Sequence, residues 1–366
     1  MIRCFPCQHT LTLAFLFGAA LTAIAEPTAH MEVGFDGYDR AEGLANFPAL
    51  MVLSTNIPGF DYGDFEHSDG HDLRFYDQTA TELPFEIEKW DTSGESFVWV
   101  RVPELTASAK ITATWGDPGA TDLPAYVTNG AVWVEGFDAV WHFHEDGMGE
   151  RHDATTNRYS AWPRGYEDDE ATTDGRIGNA DVLDGTDDYL AIEELHYTSA
   201  DPTEEITVSA WVRSSSSAEQ IIASFDRSEF WRLALKDDRT TGNIGWDTVS
   251  EDLGTSDDYA DGQWHHVVAC FKASDSPDKC IYIDGLCVAE DTAHGGQPLG
   301  VGKATRYGFI GCGSEAGSFG EAGSGDFLAG TVDEVRIAHT VRSAAWIRAG
   351  YLSQASNSVF TSYVVN

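Results

Sequence analysis

Residues Ile206-Thr207-Val208-Ser209-Ala210-Trp211-Val212-Arg213 decide the fold. Ile206, Val208, Ala210 and Val212 alternate with Thr207, Ser209, Trp211 and Arg213, the period of a half-buried β-strand. Further on, runs 279–284 and 286–290 flank Asp284-Gly285. That dipeptide closes two-residue hairpins because both of its positions tolerate positive φ. Thirty-six glycines and repeated Asp-Gly steps punctuate short alternating runs along the chain. No amphipathic helical window of convincing length interrupts them. Many short strands at this spacing make a sandwich or a barrel, so the expected fold class is all-β.

The chain has 366 residues, more than one ordinary sandwich needs and enough for two domains. The expected break lies at 118–132, where the turn cluster Gly116-Asp117-Pro118-Gly119 precedes a new apolar run from Ala131. Residues 1–25 read as a signal peptide: Arg3, an apolar run over 11–25, and the small-x-small site Ala23-Ile24-Ala25. That run falls short of the roughly 18 residues of a spanning helix. Cys4 and Cys7 precede it and so do not form an acylation site at the cleavage point. The expectation is export to the periplasm or the outside of the cell, with a mature chain starting at Glu26 and no transmembrane segment after cleavage.

With 22 basic against 60 acidic residues, the chain repels phosphate backbones and anionic lipid surfaces. Nucleic acid is excluded as a partner. The acids are spread along the whole chain, which favours solubility in a salty medium over dedicated cation binding. The mature chain keeps Cys270, Cys280, Cys287 and Cys312. An even number in an exported protein predicts two disulfides, with three pairings open.

Five ordered segments carry a first resemblance: LANFPALMVLS from Leu44, DGHDLRFYD from Asp69, LPFEIEKWD from Leu83, VWVRVPEL from Val98 and ITATWGDPGA from Ile111. This part of the chain, assigned to a domain over 26–120, resembles the bacterial domain of unknown function 2341. That family usually has Tyr-Tyr-Gly-Asn-Pro where this chain has Thr114-Trp115-Gly116-Asp117-Pro118, and no activity goes with it. A second series is AVWHFHEDG from Ala139, DATTN from Asp153, GRIGNADVLDGTDDYLAI from Gly175, ITVSAWVRS from Ile206, DGQWHHVVACF from Asp261, IYIDGLCV from Ile281 and GTVDEVRIAHTVRSAAWIRAGY from Gly330. It resembles the laminin-G-like, concanavalin-A-like jelly rolls, and the resemblance implies one such domain over 131–366. The four cysteines depart from that pattern. The two families occur together in bacterial surface proteins, sometimes fused to a TolQ/ExbB-type proton channel, which this chain does not carry.

Concanavalin-A-like sandwiches include glycoside hydrolases, whose retaining members need two carboxylates about 5–5.5 Å apart. On a strand this requires alternating acids. The acidic run 167–170 is consecutive and reads as a solvated loop, and there is no Gly-x-Ser-x-Gly elbow, so the chain is expected not to be an enzyme. His142 and His144 share a strand face, but no acidic or cysteine ligand has matching spacing, so they read as surface histidines. Asp333 alternates with Val335 and Ile337 and is expected on the apolar face. By the resemblance it sits where calcium-binding relatives hold a structural Ca2+. Asp184, Gly185 and Glu145 are candidate co-ligands, and hydrogen bonds from backbone amides are the alternative. Trp162, Trp231 and Trp246 lie in polar, loop-like stretches; they are the candidates for an exposed indole stacked on a sugar, and packing is the favoured alternative for each. The expected function is non-catalytic recognition of carbohydrate or glycoprotein through the jelly roll. The alternative is a structural or protein-binding role in the envelope, alone or beside a TolQ/ExbB-type transport system, and a glycosidase ranks last.

Overall fold

The structure, a computed structural model, describes residues 27–167, 173–237, 243–249, 252–292 and 296–366. The expected signal peptide and most of the acidic run lie outside the described residues. The first six strands are β1 (Ala29–Gly34), β2 (Leu44–Leu53), β3 (Arg74–Asp77), β4 (Phe85–Lys89), β5 (Ser96–Leu105) and β6 (Lys110–Trp115). Fifteen more follow: β7 (Phe137–Trp141), β8 (Ala161–Arg164), β9 (Thr173–Asp174), β10 (Asn179–Asp184), β11 (Tyr189–Tyr197), β12 (Glu205–Ser214), β13 (Gln220–Ser224), β14 (Trp231–Leu235), β15 (Ile244–Thr248), β16 (Asp252–Gly254), β17 (His265–Lys272), β18 (Lys279–Ile283), β19 (Leu286–Asp291), β20 (Arg306–Ile310) and β21 (Ala329–Ala338). Helices α1 (Ala344–Ala355) and α2 (Asn357–Phe360) and strand β22 (Ser362–Val365) close the chain.

Among the described residues these strands form two sandwiches. The smaller packs β22-β1-β6-β3 on β2-β5-β4. The larger packs β19-β18-β17-β12-β21-β10-β9, with β7 also on β21, against β16-β15-β14-β13-β20-β11-β8. The Asp284-Gly285 hairpin forms as its dipeptide dictates, with φ of +51° and +77° joining β18 to β19. Just beside it, the ring of His265 donates from Nδ1 to Asp284 Oδ2 at 2.9 Å. That hydrogen bond is the main reason the His265 pKa lies above its ordinary value. A raised histidine pKa adds stability that is fully present below about pH 6.5 and fades as the pH rises through the folded value. Asp284→Asn keeps a residue that accepts positive φ and removes the charge. An NMR titration of this variant is expected to show His265 falling back to about 6.5 or below.

The expected 131–366 domain needs correction at its end. β22 pairs with β1, from Met31 opposite Val365 to Gly34 opposite Ser362. Ala345, Ala349 and Phe360 sit in the core of the first sandwich, so the last part of the chain completes the N-terminal domain. α1 was not visible in the sequence because it is buried on two sides. Ala345 and Ala349 face the first sandwich, while Ile347 packs on Val268 and Cys270 of the second.

The sandwiches stack face to face. Leu50 and Trp99, on the outer side of β2-β5-β4, pack with Trp133, Phe137, Val140, Ile177 and Ala338. The outer face of the eight-stranded sheet is therefore covered, which explains why β12 is buried on both faces and not on one.

Candidate functional site

The outer face of the seven-stranded sheet lies on the far side of the second sandwich from the first. Strand register lines up one residue per strand across it: Trp162, Ala191, Phe309, Ser224, Arg232, Asp247 and Asp252. At about 4.8 Å between strands the row spans roughly 29 Å. The row is polar at one end and aromatic at the other.

At the polar end Arg232 Nε donates to Asp247 Oδ2 at 2.7 Å, and its Nη2 reaches Glu219 at 3.1 Å and Asp237 at 3.4 Å. Burial pushes the Asp247 carboxyl up to about 6, with Arg232 opposing it. Tyr189, Ala191, Phe309 and Cys312 fill the middle under Phe319 and Phe327.

The aromatic end is open. The half-buried Trp162 indole donates from Nε1 to Glu193 Oε2 at 2.7 Å. Arg164, two residues on and facing the same way, lies over the Phe319 ring at 5.4 Å. On the neighbouring strands His196 stacks on Tyr307, ring centroids 5.1 Å apart at 22°. Flat apolar faces beside a fixed carboxylate and a guanidinium suit a ligand with both a C–H face and hydroxyl groups.

Of the three tryptophans expected at a ligand, only Trp162 is half-exposed. Trp231 and Trp246 are 0% exposed and pack on each other in the sandwich core, centroids 5.6 Å apart. Their polar neighbours Arg232 and Asp247 point to the outer face, as strand alternation requires, and the indoles point inward.

The calcium expectation fails on geometry. Glu334 takes a φ of +51° and forms a bulge: Trp211 pairs with Asp333 and Ser209 with Arg336, leaving two residues opposite Ala210. The bulge moves Asp333 off the face of Val335 and Ile337, towards the first sandwich. There its Oδ2 accepts the amides of Arg176 at 2.7 Å and Ile177 at 2.9 Å. Asp184 pairs with Ala329, four residues along β21 from Asp333, which is roughly 13 Å at strand rise. Gly185 sits at the same far end, against Ala329. Glu145 accepts the His152 amide at 2.7 Å. The four expected ligands do not converge and do not fit one calcium ion.

The cysteines depart as well. All four are free. Cys312 lies on the outer face of the seven-stranded sheet and Cys270 on the outer face of the eight-stranded one. Two sheets separate them, beyond the roughly 7 Å that a disulfide spans between Cα atoms. Cys270 and Cys280 are cross-strand partners, and Cys280 and Cys287 lie close together.

His142 is not a surface histidine. It is 1% exposed, and acids from both sandwiches surround it. Its Nδ1 donates to Glu334 Oε1 at 2.6 Å and lies 3.6 Å from Glu88 Oε2, while Nε2 is 3.8 Å from Glu86 Oε1. Trp99 and Trp133 donate their indole N–H groups to Glu88 and Glu86, both at 2.6 Å. Arg336 pairs with Glu334 and lies over both indoles, at 4.5 and 4.8 Å. Burial favours neutral His142, but Glu334 and Glu88 outweigh it and lift its pKa to about 10. The Glu88 carboxyl is driven up by burial and by Glu334. Gly178 (φ +58°) lets a turn approach this acid, since a Cβ there would stand 2.8 Å from Glu88 Oε1. Nothing in local spacing announces this cluster, because its members lie 54 and 192 residues from His142.

Residues 184–348 match the concanavalin A-like lectin/glucanases superfamily. Residues 69–158 match the domain of unknown function 2341, a span that includes Glu86, Glu88 and His142. No curated protein matches the sequence. Among solved structures, domain 4 of AbnA, a GH43 extracellular arabinanase from Geobacillus stearothermophilus in complex with arabinotriose, is 18% identical over 58% of this chain and 97% of its own, with a TM-score of 0.42. The binding domain of Paraclostridial Mosquitocidal Protein 1 is 13% identical over 61% of this chain and 53% of its own, with a TM-score of 0.44. Trypanosoma rangeli sialidase in complex with sialic acid is 13% identical over 77% of this chain and 44% of its own, with a TM-score of 0.40.

Proposed function

We propose that this chain, which carries a domain of unknown function 2341 and a concanavalin A-like lectin/glucanase domain of the laminin-G kind, is an exported, non-catalytic protein that binds carbohydrate. The observation that supports it is the open end of the outer face. Trp162 presents a half-buried indole there, tied to Glu193, with Arg164 on the same side. The indole stacks on the C–H face of a sugar ring, and Glu193 and Arg164 take its hydroxyl groups. The non-catalytic part of the reading is supported by the polar end of the row, where Asp247, Asp237 and Glu219 converge on Arg232.

The test is an array of immobilised oligosaccharides probed with the whole protein and with Trp162→Ala. The expected result is a restricted set of bound glycans, each weakened at least about tenfold in the variant, or about 1.4 kcal/mol. A silent array, with a protein captured from envelope extracts and held equally by Trp162→Ala, would contradict the carbohydrate reading and favour the envelope role.

A further inference from the structure

We propose that Glu88, His142 and Glu334 form a site for one first-row divalent cation of the zinc or manganese kind, held where the two sandwiches meet. One donor atom from each of the three residues lies within 4.8 Å of the others, and on this side of the ring His142 Nδ1 is 2.6 Å from Glu334 Oε1 and 3.6 Å from Glu88 Oε2. One sandwich supplies Glu88 from β4. The other supplies His142 just after β7 and Glu334 from the bulge in β21. One imidazole nitrogen with carboxylate oxygens is a donor set for zinc, manganese or iron. Calcium, which takes six to eight oxygens, is disfavoured.

One observation points to a missing ligand: Glu88 Oε1 makes no hydrogen bond, although its side chain is 0% exposed. Unsatisfied polar atoms at that depth are costly and call for a partner. Binding of a divalent ion displaces the Nδ1 proton to solvent, as metal binding at histidine requires. Glu86 and Arg336 then hold the first shell in place through His142 and Glu334.

The experiment uses the full chain. It is stripped with chelator, dialysed against zinc, manganese, calcium or magnesium, and assayed for bound metal and thermal unfolding. Cobalt absorption then identifies the ligands. The expected result is one zinc or manganese ion per chain, a raised melting temperature, and a cobalt spectrum without thiolate charge transfer. Glu88→Gln is expected to weaken binding by more than about tenfold. Three other clusters compete for these metals, His67/Asp69/His71, Cys280/Cys287/Glu290 and Asp184/Asp187/Asp188. The triple variant His71→Ala/Cys287→Ser/Asp187→Asn should therefore bind and melt as wild type does. This arm also decides the matter if Glu88→Gln fails to fold. No retained metal with identical melting in zinc and in chelator would overturn the proposal, as would loss of binding in the triple variant.

Discussion

Deleting residues 356–366 is expected to unfold the first sandwich while leaving the second folded, although the deletion is at the opposite end of the sequence. The segment supplies β22, which covers the edge of β1 through four residue pairs, and Phe360, 1% exposed in the core with Phe35 at 6.2 Å. Asn357 donates to the Leu50 carbonyl at 2.7 Å, and the Tyr363 hydroxyl accepts the Val52 amide at 3.0 Å. Removing a buried phenylalanine alone costs about 3–5 kcal/mol, a large share of the roughly 5–15 kcal/mol that a domain has. Hydrogen exchange checks this. Amides of β1, β2 and β6 should lose protection in the truncated chain, and amides of β12 and β17 should keep it. Unchanged protection in β1 would contradict the shared-core account.

Arg151→Met is expected to destabilise the second sandwich by about 3–5 kcal/mol, the cost of unpairing a buried ion. Arg151 is 0% exposed. Its Nε donates to Asp181 at 2.9 and 3.1 Å, its Nη2 donates to Asp181 at 3.0 Å, and the guanidinium also reaches the carbonyls of Gly149 and Gly147. Burial already holds the Asp181 carboxyl up at about 6 against the pull of Arg151. Without the guanidinium it is left buried with only the Tyr166 hydroxyl, 3.2 Å away. The double variant Arg151→Met/Asp181→Leu removes both charges and is expected to recover a large part of the loss. Denaturant melts of wild type, single and double variants measure this. Equal losses in both variants would show that packing, not the unpaired charge, dominates.

Local chemistry made much of the fold legible. The Asp284-Gly285 turn and the alternation of 206–213 became β18–β19 and β12, because both signals depend only on neighbours in sequence. What failed depends on partners far away. The side assigned to Asp333 was reversed by one extra residue at Glu334, since a bulge shifts every side chain before it to the other face. Trp231 and Trp246 looked loop-like beside Arg232 and Asp247, yet the same alternation buries the indoles and turns the charges outward. His142 lacked ligands at local spacing because its acids come from β4 and β21. The return of β22 to β1 was hidden by its length, as four residues of Ser-Tyr-Val-Val do not name a partner.

The carbohydrate-binding account is tested most directly by following the indole N–H signals of the labelled protein by NMR during titration with a soluble oligosaccharide that the array identifies. The account predicts that Trp162 shifts in proportion to bound ligand, together with amides of Glu193 and Arg164, while the buried indoles of Trp231 and Trp246 stay fixed. Saturable binding that leaves Trp162 unmoved, with shifts confined to another part of the surface, would contradict it.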